Sequence, residues 1–134
     1  MRSLTFPYLE YRGHKTPIIP LALKIKNEWK ETIAYVDSGA TYSIFKVEEA
    51  ERFGLNYKTG QKEWVVVGNG SYMPIFLHCL PIKIGDEEFW ATIAFSPNLG
   101  AGFNLIGRKD IFTHFDVCFS DSKATVIFTP VKKL

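Results

Sequence analysis

An all-β fold, a sandwich or a barrel, is predicted by three features of this 134-residue chain. Short apolar runs rich in β-branched and aromatic residues recur along its length. Turn signals built on glycine and aspartate separate those runs. Only two stretches place apolar residues at helical spacing instead.

In chain order, Phe6 to Tyr11 and Ile18 to Ile25 read as strands around the turn signal Arg12-Gly13-His14-Lys15. Thr32 to Val36 is the next strand-like run. Glu63 to Val67 and Tyr72 to Leu80 flank Gly68-Asn69-Gly70-Ser71, a hairpin signal. Pro81 to Ile84 and Phe89 to Phe95 flank Gly85-Asp86-Glu87-Glu88, and Asp116 to Phe119 and Ala124 to Phe128 flank Ser120-Asp121-Ser122-Lys123. Lys46 to Phe53 sets Val47, Ala50 and Phe53 on one helical face, with Gly54 as the stop. Arg108 to Phe115, with Ile111, Phe112 and Phe115, is the second candidate helix. No linker, repeat or low-complexity tract interrupts residues 1–134, so one domain is expected.

Composition narrows the function classes. The chain is 46% hydrophobic and 15% aromatic, enough for a real core and unlike a disordered chain. A net charge of +2 with no basic stripe argues against nucleic acid, and Lys132-Lys133 reads as a solubilising tail. No leader-like segment opens the chain, and the longest apolar stretch, Pro17 to Ile25, is too short for a membrane span and is broken by Pro20 and Lys24. A soluble, cytoplasmic protein is expected. Cys79 and Cys118 lie outside metal or redox spacing and sit among apolar residues, which predicts two buried free thiols. His14, His78 and His114 have no metal-ligand spacing, so no metal or other cofactor is expected. Gly100-Ala101-Gly102 lacks the third glycine and the Lys-Ser/Thr of a phosphate loop.

Chemistry concentrates at Asp37-Ser38-Gly39-Ala40-Thr41, directly after the apolar run ending in Tyr35-Val36 and directly before Tyr42-Ser43-Ile44-Phe45. Asp-Ser/Thr-Gly alone arises by chance in about one chain in twenty of this length. A self-capping turn would explain it equally well. Two features favour a cleft carboxylate. Strand alternation sets Tyr35 and Asp37 on one face, continuing an inward row, and the chain returns to apolar sequence after the turn. A second stretch, Phe103-Asn104-Leu105-Ile106-Gly107-Arg108, follows some seventy residues later. Gly107 there suits a strand that passes very close to another backbone.

Taken together, these stretches resemble the retropepsin family, the retroviral-type aspartic proteases. Its pattern is apolar-apolar-Asp-Thr/Ser-Gly-Ala, a flap hairpin, then apolar-apolar-Gly-Arg-Asn/Asp before a short helix. Here Tyr35-Val36-Asp37-Ser38-Gly39-Ala40, the hairpin around Gly68-Asn69-Gly70, and Leu105-Ile106-Gly107-Arg108 follow in that order, and the likeness runs over roughly residues 17 to 130. The resemblance implies a closed, barrel-like acid protease fold with one or two short helices and a flap. It implies that Asp37 is the catalytic carboxylate, with Ser38 bonding across to a partner chain, Gly39 contacting substrate backbone and Ala40 completing the loop. Gly68, Asn69 and Gly70 would form the flap tip. Tyr35, Thr41, Phe103 and Leu105 would border the substrate pockets, and Gly107 and Arg108 would be structural. Three departures stand out, the first being that Lys109 follows Arg108, so Asp110 falls one place late for a Gly-Arg-Asp match. Viral members carry an aspartate at the position of Thr41 that pairs with the arginine, so Arg108 lacks that partner. Pro130 and the terminal lysines fit the interleaved terminal sheet of viral dimers poorly, so a different interface is expected.

Peptide hydrolysis of this kind needs two carboxylates sharing one proton, and this chain has a single Asp-Ser-Gly. A symmetric homodimer is therefore expected, with Asp37 of each subunit meeting on the two-fold axis. Ala40 places no hydroxyl beside the carboxylate, unlike pepsin-like relatives, so activity is expected to reach nearer neutral pH. The expected function is an endopeptidase cutting extended, apolar segments of peptide or protein. The alternative on the same fold is a catalytically silent module that grips peptides.

Overall fold

The computed structural model describes residues 2–100 and 102–132. Ala101 of the Gly100–Gly102 segment and Lys133 of the basic tail lie outside the described residues. The chain forms β1 (Leu4–Pro7), β2 (Leu9–Tyr11), β3 (His14–Thr16), β4 (Ile18–Ile25), β5 (Glu28–Val36) and β6 (Ser43–Lys46). Helix α1 (Val47–Phe53) and a 3-10 turn (Tyr57–Thr59) precede β7 (Gln61–Val66), β8 (Tyr72–Ile84) and β9 (Glu87–Ser96). The short β10 (Leu105–Ile106) and the hairpin β11 (Phe115–Ser120) and β12 (Thr125–Pro130) complete it. No helix among the described residues is long and apolar enough to cross a membrane.

The main sheet runs β4-β5-β10-β6-β9-β8-β7, and β8 pairs back onto β4 through Ala22↔Lys83 and Leu23↔Ile82. That return pairing closes a barrel and leaves β7 as an outrigger paired only with β8. The barrel interior and the α1 face share one core, in which Phe45, Phe95, Phe115 and Phe128 are fully buried. A second, three-stranded sheet, β1-β12-β11, joins the N-terminal strand to the C-terminal hairpin within one chain. This antiparallel pairing of Leu4–Pro7 with Thr125–Phe128 occupies one edge of β12 from within the same chain.

Prolines that read as strand breakers lie inside strands instead. Pro20, Pro74 and Pro81 each have a sheet partner on one side only, opposite Ile33, Trp64 and Trp90. On the other side no strand pairing extends to the proline, so no ladder bond needs the missing N–H. This is why Tyr72–Leu80 and Pro81–Ile84, expected as two strands, form the single β8. Pro130 ends the central strand β12 beyond the reach of β1 and pairs with Phe115 alone.

Turn chemistry explains other boundaries. Arg12 and Gly13 close the β2–β3 hairpin, and Lys26 and Asn27 close β4–β5, all with positive φ (51°, 78°, 52° and 66°). Two consecutive left-handed residues match the twist of the flanking strands. The Lys26-Asn27 turn was invisible in the apolar pattern, so β5 begins at Glu28, four residues before the expected run. Helix α1 ends at Gly54 in the left-handed region, with its N–H on Ala50 and Glu51 carbonyls.

Two expectations are corrected. The segment after Arg108 forms hydrogen-bonded turns, with Phe112 N–H on Arg108 O and Phe115 N–H on Ile111 O, but no regular helix. Asp110 adopts φ 65° and turns its carboxylate onto Thr92 N–H at 2.8 Å, which interrupts helical winding. The thiols are free, but Cys79 and Cys118 are both exposed, because each points off the outer face of its strand.

Candidate active site

The loop Asp37–Tyr42 connects β5 to β6, yet these strands do not pair with each other. Strand β10 lies between them, parallel to β5 (Leu105↔Tyr35, Ile106↔Val36) and antiparallel to β6 (Leu105↔Ile44). The loop therefore straddles the end of β10, and the chain leaving β10 must pass against it. Gly107 stands at that crossing: a Cβ there would lie 2.3 Å from Tyr42 O and 2.9 Å from Ala40 O. Its N–H donates to Ser43 Oγ at 3.0 Å, a hydroxyl fully shut off from solvent. No side chain fits between these backbones.

Hydrogen bonds clamp the loop from both ends. Asp37 N–H donates to Ile106 O (2.9 Å), Arg108 N–H to Ala40 O (2.9 Å) and Lys109 N–H to Thr41 O (2.8 Å). Within the loop, Ala40 N–H donates to Asp37 O at 3.2 Å and Gly39 N–H to Asp37 Oδ1 at 2.9 Å. The Asp37 carboxylate is thereby aimed by backbone atoms. Ala40 supplies no hydroxyl to it.

The burial pattern reverses one expectation. Ala34 and Val36 are the core row, at 0% and 1% exposure, whereas Tyr35 and Asp37 are half-buried on the opposite face. Barrel closure put the smaller aliphatic pair inside. The Asp37 face instead borders two grooves. One, of about 1100 Å³, lies between the loop and the β7–β8 hairpin and is lined by Gly39, Ala40, Thr41, Leu105 and the hairpin tip. The other, of about 830 Å³, lies toward the β2–β3 hairpin and contains Tyr35, Ser38 and Phe103. Leu105 thus shares the flap-side groove with Thr41. Tyr35 and Phe103 stack on each other at 5.0 Å in the hairpin-side groove.

Gly68, Asn69 and Gly70 form the three-residue tip of the β7–β8 hairpin. Val67 N–H donates to Ser71 O, and Gly70, at φ 84°, donates its N–H to Val67 O. The Asn69 side-chain carbonyl accepts from Ser71 N–H at 3.0 Å, so among the described residues this tip is held only by its own. Trp64, Val66 and Tyr72 of this hairpin border the same groove and are 57%, 63% and 70% exposed. The Arg108 guanidinium lies 5.6 Å over the Phe112 ring and makes only a long 3.5 Å approach to Ser38 O. No aspartate pairs with it among the described residues.

Asn104 was not singled out from sequence, and it is the hub beneath the loop. Its Oδ1 accepts from Lys46 N–H (3.0 Å) and its Nδ2 donates to Ile33 O (3.0 Å), while its own carbonyl accepts from Tyr35 N–H (2.8 Å). One side chain thus spans β5, the β10 approach and the start of α1. Glu49 and Thr32 adjoin it, and Thr32 Oγ1 donates to the Glu49 carboxylate. Burial works against the Glu49 charge, but hydrogen bonds from Arg52, Thr32 and Asn104 outweigh it and hold this carboxyl below its ordinary range. The only sequence signal for Asn104 was a polar residue inside an apolar run.

No group of His, Cys, Asp and Glu among the described residues has the arrangement of a metal centre. By sequence, the chain matches no family profile and no curated protein. By structure, it is similar to a retropepsin-like aspartic protease from Rickettsia conorii, with TM-score 0.67 and 16% identity over 95% of this chain and 98% of that one. It is also similar to EIAV protease, solved with the inhibitor HBY-793, with TM-score 0.56 and 18% identity over 78% of this chain and 92% of that one. These likenesses establish the all-β retropepsin-like fold.

Proposed function

We propose that this retropepsin-like chain is an aspartic endopeptidase, active as a homodimer in which Asp37 of each subunit meets its counterpart on a two-fold axis. The observation that carries this reading is the clamped Asp37 loop: a carboxylate aimed by the Gly39 backbone N–H, straddling a glycine crossing, at the junction of two grooves. A turn that merely capped itself would need neither the crossing nor the grooves.

In this mechanism the two carboxylates share one proton, because like charges about 3 Å apart cannot both ionise. The ionised member takes a proton from water as that water attacks the scissile carbonyl, and the protonated member donates to the carbonyl oxygen. The pair titrates as a unit. The chain supplies one such aspartate, so the second comes from a second copy. Substrate lies extended between the loop and the β7–β8 hairpin, where Ala40, Ile44, Val65 and Leu105 favour apolar side chains. Ser38 and Gly39, exposed at the loop tip, face the partner and the substrate backbone. With no hydroxyl at Ala40 to favour the ionised form, the pH–rate profile extends toward neutrality, and a profile confined to strongly acidic pH would contradict that role.

The test is cleavage of a denatured protein and a peptide library by wild type and Asp37→Asn, with and without a statine-type inhibitor, alongside sedimentation of both. We expect wild-type cleavage that the inhibitor blocks, at least a 10³-fold loss in the variant (on the order of what removing a catalytic group costs), and a dimer in both. Cleavage that survives Asp37→Asn would sink the proposal. A dimer that binds peptides without cutting them would transfer the role to peptide capture.

A further inference from the structure

We propose that the β2–β3 hairpin makes the groove on its side of Asp37 a subsite for acidic side chains, so that cleavage favours peptides carrying Asp or Glu within a few residues of the apolar pair. The proposal rests on the endopeptidase reading and adds a charge preference to it.

The hairpin is mechanically tied to the site. Tyr11 meets Phe103 edge-on at 5.1 Å, Phe103 stacks on Tyr35, and Tyr35 is two residues from Asp37. The Tyr11 hydroxyl lies so close to Gly102 that a Cβ there would sit 2.2 Å from it, which seats the hairpin directly on the segment leading into β10. The tight turn at Arg12-Gly13 then fixes where the tip points.

Charge differs between the two grooves that meet at Asp37. Apart from Asp37 itself, the flap-side groove is lined by uncharged residues. The hairpin-side groove is lined by the carboxylates of Asp37 and Asp121 and, on the hairpin, by Arg12, His14 and Lys15. None of these three is in an ion pair among the described residues; Arg12 rests 5.3 Å over the Tyr11 ring. The acidic groups nearby form no ion pair with them among the described residues. Asp121 accepts the Tyr8 hydroxyl at 2.7 Å, and Glu10, across the ladder from Lys15, does not line the groove. An aromatic shelf with unpaired cations at its rim suits a side chain with a short apolar stem and a carboxylate end. In a two-fold dimer, each flank of an extended substrate would meet one such hairpin.

The test uses three fluorogenic peptides of one sequence, an apolar pair flanked by Glu, Gln or Lys. Wild type is compared with Arg12→Glu/Lys15→Glu and with the charge-matched control Lys24→Glu/Lys58→Glu. We expect wild type to favour the Glu peptide over the Lys peptide by about tenfold in kcat/KM, the size of one or two partly exposed charge pairs. That ratio should shrink as salt rises, invert in the hairpin variant and persist in the control. Equal rates on all three peptides would overturn the proposal. Binding of the same peptides to Asp37→Asn, read by fluorescence anisotropy, separates the two claims. A Glu preference in binding with no wild-type cleavage would sink the endopeptidase and leave the acidic subsite standing, whereas flat binding would remove the subsite whatever the activity.

Discussion

The Asp37 loop and the β7–β8 hairpin tip face each other across one groove, and they are held in opposite ways. Residues far away in sequence supply the partners of the loop, Ile106, Arg108 and Lys109, through the backbone, while just below it Ser43 Oγ holds Gly107 N–H and the Asn104 side chain ties Ile33 to Lys46. Among the described residues the hairpin tip bonds only to itself, through Val67, Asn69, Gly70 and Ser71, and the hairpin leaves large apolar side chains exposed. Long-range bonds make the loop part of the cooperative core, whereas local bonds leave the tip at the low-stability end of the fold. Under the proposed function, a carboxylate that meets its twin needs the first arrangement, and a cover that admits a peptide needs the second.

The largest effect should come from closing the gap under the loop. Gly107→Ala forces a Cβ against two carbonyl oxygens of the backbone, so we expect a stability loss of about 3 kcal/mol and loss of cleavage at temperatures where the variant is still folded. Urea denaturation with parallel activity assays measures both. A fully stable and active Gly107→Ala would mean the crossing is looser than the contacts imply.

An intermediate effect is expected from the network beneath the loop. The folded-state pKa of Glu49 is depressed, so its stabilising contribution is present above the ordinary carboxylate range and is lost as pH falls through the folded pKa. Unfolding midpoints should therefore fall below about pH 4.5 in wild type and fall less steeply in Glu49→Gln, which cannot ionise. Identical acid limbs in the two proteins would remove Glu49 from the account. Tyr8 acts at the other extreme: burial and its bond to Asp121 push its pKa to about 12. Its contribution is intact below pH 10 and is lost between pH 10 and 12, so Tyr8→Phe should flatten the alkaline limb.

The smallest effects belong to the tip. Gly70→Ala meets no neighbour but needs φ 84°, so about 1 kcal/mol of local strain is expected. Gly68→Ala meets nothing and needs no left-handed backbone, so stability should be unchanged. Steady-state kinetics would sharpen the contrast: a kcat/KM loss in Gly70→Ala larger than its stability loss would show that tip conformation governs substrate entry.

Much of this was readable one segment at a time. Asp37-Ser38-Gly39, Gly68-Asn69-Gly70 and Leu105-Ile106-Gly107 announce themselves because turns and close approaches admit few residue types. Helix α1 was equally plain from Val47, Ala50 and Phe53. The second helix failed because Asp110 answers to Thr92, a partner eighteen residues away that no local pattern reveals. The thiols failed for a related reason. Apolar neighbours around Cys79 and Cys118 said nothing about which face of a strand would be covered.

Local chemistry determined where this chain turns, which runs become strands, and which acid stands at a glycine loop, since those choices depend on neighbours within a few residues. The insertion of β10 between β5 and β6, the pairing of β8 back onto β4, the tolerance of mid-strand prolines and the joining of Asn104 to Glu49 were decided only by the closed sheet. Each depends on which distant backbone lies alongside, and a short window of sequence holds no record of that neighbour.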